Sequence, residues 1–414
     1  MIRFVHASDL HLDATFGGVD ATDDKVAGAL ARSTIEAFNR VIDLCIEKEV
    51  DFLVIAGDLY NSADRSLGAE LAFQRGMRRL ADVGIPAFVV QGNHDPADGW
   101  SAGLDFPDSV VVFSPEKVER REVIRDGEVV CAVYGRSFPT RQVTENFASD
   151  FSRSKDDPQA VGVLHANVGG REGWDDYAPC TVDDLRTAGM DYWALGHIHL
   201  PGRVSDDPPA VYSGSTQGLD PGEEGPRGCY LVELDGGGAT EEFFETASVL
   251  WRRVELDATD APGLDELRAA VNSTCDGVRT ESRDRPTVVR IEIGGRTDVH
   301  ADLGRPGVLE DLLTDLREEQ LECEPWIWID RVRDRTKPNM DLDALIEEEG
   351  LRGDLVRLAQ ARASDPEAAA AMVAEIMDPV LSNLAVRPEL EEGSDRIIER
   401  ARDLCLDLLS GEGS

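Results

Sequence analysis

At 414 residues the chain is long enough for two or three domains of roughly 100–200 residues each. Hydrophobic residues make up 42%, enough for packed cores, and the formal charge of −39 comes from acid spread along the whole chain. That distribution excludes a disordered acidic tail and a conventional basic nucleic-acid binder. Only Lys25, Lys48, Lys117, Lys155 and Lys337 are lysines, the other cations being arginine. A lysine-poor acidic surface reads as one kept hydrated in concentrated salt, the alternative being a binder of basic partners. Seven cysteines without a CxxC pair suggest neither a disulfide framework nor a thiolate zinc site. Met1-Ile2-Arg3 leads straight into a strand, and no run approaches the roughly 20 apolar residues of a membrane span. The expectation is a cytoplasmic protein that makes no use of a membrane.

In chain order, a strand over 1–7 is followed by a Gly/Asp/Thr-rich loop. Val26, Leu30, Ile35, Phe38, Ile42 and Cys45 then form a helical stripe over 25–48. A strand over 51–56, a helix around 67–83 and the apolar run Ile85 to Val90 complete a β-α-β-α-β pattern, which predicts a parallel sheet. From 108 to 135 the pattern shortens to strands at 110–113, 118–124 and 129–134, with Asp126-Gly127 as a hairpin signal. Buried strands follow at 160–165 and 191–195, and three short ones within 203–234. A second unit reads as α+β: strand 251–256, helix 263–272, strand 288–293, helix 307–320 and strand 326–329. From 341 the chain reads as helices over 341–349, 351–362, 366–383 and 390–409, broken at Gly350, Asp365-Pro366 and Arg387-Pro388. The expected domains are 1–247, 248–336 and 337–414.

Five polar motifs stand at the ends of predicted strands. They are Asp9-Leu10-His11, Gly57-Asp58, Gly92-Asn93-His94-Asp95, His165 and Gly196-His197-Ile198-His199. In α/β sheets, sites gather outside the carboxyl ends of the strands, so one pocket receives the two Asp at 9 and 58, one Asn and five His. Mixed carboxylate and imidazole donors suit Mn²⁺, Fe²⁺ or Zn²⁺. The set is too large for one ion and about right for two ions roughly 3.5–4 Å apart that share a carboxylate, with Asp58 the natural bridge. One imidazole is then left to serve the leaving oxygen. His94 fits that part, because its neighbour Asn93 can ligate and adjacent side chains rarely reach one ion. His6 and His300 lie outside the motifs, the first read as structural and the second as a loop residue.

These motifs resemble the calcineurin-like metallophosphoesterases. Ala7-Ser8-Asp9-Leu10-His11-Leu12-Asp13, Leu164-His165-Ala166-Asn167-Val168-Gly169-Gly170 and Asp191 to His199 resemble, more narrowly, the DNA-repair exonuclease branch with its SbcD and YhaO-like members. The resemblance implies a four-layer α/β/β/α sandwich, a small α+β capping domain and a helical C-terminal segment that meets an SMC-type ATPase. It implies one metal held by Asp9, His11, Asp58 and His199, and another by Asp58, Asn93, His165 and His197. His94 is then the catalytic histidine, oriented by Asp95, and Mn²⁺ the expected metal, with Fe²⁺, Zn²⁺ or Mg²⁺ as alternatives. Two departures from the branch are Asn61, where Asp is common, and Gln217-Gly218-Leu219-Asp220 in place of Gln-Gly-Arg-His.

Arg331, Arg333, Arg335 and Lys337 form the one local basic run. Arg331 and Arg333, with Arg252, are the candidate phosphate contacts. Trp326 and Trp328 share a strand face and read as packing residues in preference to a base-stacking platform. The expected activity is a two-metal DNA phosphodiesterase acting in repair with DNA and an SMC-type ATPase as partners, and a homodimer as a further assembly. The competing readings are a phosphatase or phosphodiesterase on nucleotides or other small phosphoesters, and a non-catalytic accessory.

Overall fold

The computed structural model describes the chain except residues 17–18, 20–22, 62–65, 100–101, 172, 237, 382–392 and 411–414. It divides into two compact units. The first is Met1–Arg253 with Arg279–Val289 and Glu324–Asp330; the second is Val254–Val278, Arg290–Cys323 and Arg331–Ser414.

The first unit begins β1 (Ile2–Ala7), α1 (Asp24–Glu47), β2 (Phe52–Ala56), α2 (Leu67–Asp82) and β3 (Ala87–Val90). It continues β4 (Val110–Val112), β5 (Glu119–Arg125), β6 (Glu128–Gly135) and β7 (Ala160–His165). Then come α3 (Val182–Ala188), β8 (Tyr192–Gly196), β9 (Gly202–Asp206), β10 (Pro209–Tyr212), β11 (Gly228–Asp235) and β12 (Gly238–Glu245). The strands form two six-stranded sheets, β12-β11-β1-β2-β3-β4 and β5-β6-β7-β8-β10-β9. The inner pairs β1/β2, β2/β3, β6/β7 and β7/β8 are parallel, as the helix-punctuated apolar runs require.

Alternation along each strand sorts the side chains into layers. On β2, Leu53 and Ile55 join Phe38, Val41 and Met77 of α1 and α2, whereas Phe52 and Val54 join Val161, Val163 and Tyr192 of the second sheet. On β8, Tyr192 and Ala194 face that shared core while Trp193 and Leu195 pack with Leu185 and Ala188 of α3. Period-two alternation with both faces buried can only be satisfied by a layer on each side, which gives helix, sheet, sheet, helix. Phe4 and Phe52 stack at 4.7 Å in the central layer, and His6 is buried there against the Tyr192 hydroxyl and the Leu195 carbonyl. His6 is structural, as expected.

Further along the chain, strands Leu250–Asp257, Thr287–Gly294 and Ile327–Asp334 make a three-stranded sheet in that order. The helix expected over 263–272 runs from Leu264 to Glu281, because Leu267, Val271, Cys275 and Val278 keep one buried stripe through the polar Asn272-Ser273-Thr274. His300 opens a short helix, His300–Leu303, instead of lying in a loop, and its Nδ1 meets the Thr336 hydroxyl. Trp326 and Trp328 are both buried. The tail is helical over Leu342–Ile346, Leu351–Ala363, Pro366–Leu381 and Ser394–Ser410, with breaks at Gly350 and Asp365-Pro366. The break expected at Arg387-Pro388 lies outside the described residues.

Candidate metal centre

The motif loops leave the carboxyl ends of β1, β2, β3, β7 and β8, and the parallel ladder continues into them. Asp9, His11 and Leu12 donate their N–H groups to the carbonyls of Gly57, Asp58 and Leu59 at 3.0, 3.1 and 2.9 Å. Asp13 then accepts from the Asn61 and Ser66 N–H groups at 2.6 and 3.1 Å. These bonds clamp the first two loops together, so Asp9, His11 and Asp58 are placed by backbone and not by side-chain search. The cost is visible in the backbone. Asp9, His11, Asp58 and His197 all have positive φ, at 51°, 42°, 51° and 98°. Such conformations cost roughly 1–3 kcal/mol each and persist where the surroundings impose them for a function.

Gly57 and Gly92 are required by close approach. Gly57 sits at φ 101°, and a Cβ there would lie 2.2 Å from His165 Nδ1. A Cβ on Gly92 would lie 2.2 Å from Asp58 Oδ1 and 2.8 Å from His165 Nε2.

Two groups of ligating atoms converge, each within 4.8 Å: Asp9, His11 and His199, and Asp9, Asp58 and His165. Asp58 Oδ2 lies 3.8 Å from His11 Nε2 and 3.5 Å from His165 Nε2, between imidazoles of the two groups. Asn93 Oδ1 is 2.9 Å from His165 Nε2. His197 stands beside them, its ring 5.3 Å from that of His165, with Nε2 donating to the Asp175 carbonyl at 2.8 Å. That bond leaves Nδ1 as its ligating nitrogen. All of these residues are buried except His199, which is half-buried.

The hydrogen bonds test whether this cluster fits cations. His165 Nδ1 donates to the Ala56 carbonyl at 3.0 Å, so in the neutral ring Nε2 turns a lone pair toward the Asn93 and Asp58 oxygens. His199 Nδ1 donates to Glu223 at 2.5 Å, and its Nε2 faces His11 Nε2 at 3.1 Å. A divalent ion placed between two imidazole nitrogens this close would take a lone pair from each. The donors are nitrogen and oxygen only, as borderline-hard ions prefer. The residues fit a pair of such ions.

The electrostatics point the same way. Burial pushes His11 down to about 3 and, with help from His165, His197 down to about 4, so both are neutral and able to ligate. Asp58 works against burial, yet His165, His11 and His94 hold it below the usual carboxylate range. Asp9 goes the other way, raised by burial. Partial burial would lower His199, but Glu223, Asp9 and Asp58 outweigh that and raise it.

His94 is half-buried, its ring edge-to-face with His11 at 5.0 Å. Its N–H donates to Asp58 Oδ1 at 3.0 Å and its Nδ1 to the Asn61 carbonyl at 3.0 Å. Asn61 thus serves through its backbone, which makes its side-chain identity irrelevant to this bond. The Asp95 carboxylate accepts from the Gly92 and Leu59 N–H groups at 2.8 and 3.2 Å, tying together the loops that carry His94 and Asp58.

Several residues in the site carry no signal in the sequence. Glu223 lies in a Gly-rich loop without periodicity, and only the fold brings it to His199. Trp174 packs its ring 5.1 Å from His199 and 5.9 Å from His197, and Tyr177 lies 5.5 Å from His197. Their loop is held by buried Asn167, whose amide reaches the carbonyls of Arg171, Trp174 and Asp175. Of the candidate phosphate contacts, Arg252 is half-buried in the first unit, while Arg331 and Arg333 are exposed on a strand of the second. Arg333 lies 3.7 Å from Glu292.

The calcineurin-like phosphoesterase family model matches residues 2–201, and the model of the middle domain of metallophosphoesterase YhaO matches 251–337. The metallophosphoesterase YhaO of Bacillus subtilis is 35% identical over 345 residues, covering 83% of this chain and 84% of that one. The DNA double-strand break repair protein Mre11 of Methanopyrus kandleri is 25% identical over 376 residues, covering 84% and 76%. That of Haloferax volcanii is 28% identical over 283 residues, covering 66% and 58%. Its family uses a dinuclear metal site, and the ligands for one stand together here: the chain belongs to the calcineurin-like metallophosphoesterases, with a YhaO middle domain, and is homologous to YhaO and Mre11.

Proposed function

We propose that the protein is a two-metal DNA phosphodiesterase acting in repair, with an SMC-type ATPase as partner. The observation that supports it most is the convergence of four strand-end motifs on two adjoining ligand groups, with Asn93 of the fifth 2.9 Å from His165 Nε2. The long match to proteins named for DNA double-strand break repair adds to it. Asp9, His11, Asp58 and His199 would hold one ion, and Asp58, Asn93, His165 and His197 the other, Mn²⁺ being the preferred metal. Such a pair would supply charge neutralisation on the phosphate and lower the pKa of a water, so that hydroxide is available to attack it.

The chain's own groups do the rest. Asn61 fixes His94 as the Nδ1–H tautomer, leaving Nε2 to hold or move the proton at the leaving oxygen. Asp95 keeps that loop in register with Asp58 through backbone N–H groups. Glu223 orients His199, and Trp174 and Tyr177 cover the ligand imidazoles against water. Arg252, Arg331 and Arg333 are the proposed phosphate contacts. The division 1–247, 248–336 and 337–414 belongs to the same reading, with the middle part as cap and the last as partner segment. So do a cytoplasmic location and an acidic surface suited to concentrated salt. Among the described residues no helix is long and apolar enough to cross a membrane.

The test is Mn²⁺-dependent cleavage of linear single- and double-stranded DNA in molar salt, beside bis-p-nitrophenyl phosphate. Cleavage of DNA is expected. Turnover of the small ester with intact DNA would favour the phosphatase reading, and no turnover of either would leave a non-catalytic accessory.

A further inference from the structure

In a chain of charge −39, a place where cations gather needs an explanation, since like charges close together repel. One such place lies in the second unit, between the segment following strand Ile327–Asp334 and the first turns of helix Ser394–Ser410. A depression of about 420 Å³ is lined there by Arg335, Lys337, Arg396 and Arg400, against Glu292 and Glu399. A smaller one of about 230 Å³ shares Arg335, Lys337 and Arg400 and adds His300, Asp334 and Asp403.

Two of these cations, Arg335 and Arg396, are not held there by pairing with surface acid. Arg335 and Arg396 are exposed, and among the described residues neither guanidinium has an ion pair or hydrogen bond. The framework is fixed from beneath by Asp403, which is 6% exposed. It meets Arg296, Lys337 and Arg402 at 2.8, 2.7 and 2.9 Å and ties the strand segment to the helix. Exposure alternates from Arg331 through Arg333 to Arg335, so these side chains share one face at about 6.6 Å intervals. Phosphates of one duplex strand advance about 3.4 Å per step along the axis, so such a row meets every second phosphate.

We propose that this depression is an anion site that grips the phosphodiester backbone of DNA, built from residues other than those of the metal centre. Arg335 and Arg396 are its principal contacts, and Arg331 and Arg333 extend it along the strand. The inference rests on the reading of DNA as substrate.

Binding of the full-length chain to a labelled linear duplex, followed by fluorescence anisotropy from about 0.1 to about 1 M salt, tests it. The double variant Arg335→Ala/Arg396→Ala is expected to bind about ten-fold more weakly at the low-salt end. Its plot of log affinity against log salt should be shallower by about 1.8, the release expected for two lost phosphate contacts. Arg335→Glu/Arg396→Glu should be weaker again. The control Arg75→Ala/Arg78→Ala removes two exposed arginines from α2 and the same net charge, and is expected to leave affinity within about two-fold. Equal behaviour of the test and control pairs, with DNA bound and cleaved by the wild type, overturns this site alone. Failure of the wild type to bind DNA overturns both this site and the DNA reading.

Discussion

Glu223→Gln removes a charge that acts on the metal centre only through His199. Glu223 Oε1 accepts from His199 Nδ1 at 2.5 Å while Oε2 accepts from the Leu219 N–H at 2.9 Å, and the two side chains are 18% and 15% exposed. Losing the partner of a ligating histidine lowers metal affinity by roughly 10–100-fold, or about 1.4–2.7 kcal/mol. Gln retains an acceptor for Nδ1–H and should fall near the lower figure. Glu223→Ala leaves two N–H groups without that acceptor and should reach the upper one. Titration of metal-stripped protein with Mn²⁺ by calorimetry separates the two ions, and only the one near His199 should weaken.

The pH dependence gives a second readout. The folded protein raises the pKa of His199, so the stability from its charged form is complete below the usual histidine value and is lost as pH rises through the raised one. A proton on Nε2 competes with metal, so binding to the wild type should release it and tighten as pH rises through that range. In Glu223→Gln this rise should move to lower pH. Two ions bound with wild-type affinity and wild-type pH dependence in both variants would refute the assignment of His199 as a ligand braced by Glu223.

His94→Ala should lower turnover by roughly 10²–10⁴-fold while metal content stays near two per chain; loss of metal by elemental analysis would make His94 a ligand instead. Gly92→Ala forces a methyl to within 2.2 Å of Asp58 Oδ1, so at least one ion should be lost. Retention of both ions would show that the loop yields more easily than this contact allows. Asp157 is buried beneath Arg120 at 2.5 Å and the Tyr134 hydroxyl at 2.5 Å. Burial opposes its charge, yet these partners hold it below the usual carboxylate range. Its contribution is therefore present above the ordinary Asp value and is lost as pH falls through the depressed one. Asp157→Asn should cost about 2–4 kcal/mol at neutral pH, since Arg120 is partly exposed, and should flatten the acid limb of stability measured by urea unfolding. An unchanged acid limb would rule the carboxylate out as its source.

The parallel layers and the motif positions were legible because burial on both faces writes itself locally. β2, β7 and β8 are unbroken apolar runs, and Asp58, His165 and His197 interrupt apolar sequence where no packing need calls for a polar group. The helix expected over 263–272 stops at a polar triplet in the sequence, whereas the observed helix Leu264–Glu281 continues because its buried stripe runs on through Cys275 and Val278.

What the tertiary structure alone decided are pairings between loops. The orienting groups are Glu223, 24 residues from His199, and a backbone carbonyl at Asn61 that no residue type announces. Arg396 lies beside Arg335 only because Asp403 fastens a helix to a strand segment some sixty positions earlier. Side-chain periodicity reports which face of an element is dry. It carries no record of which distant loop will meet that element, because that choice is made by the closure of the whole chain around its cores.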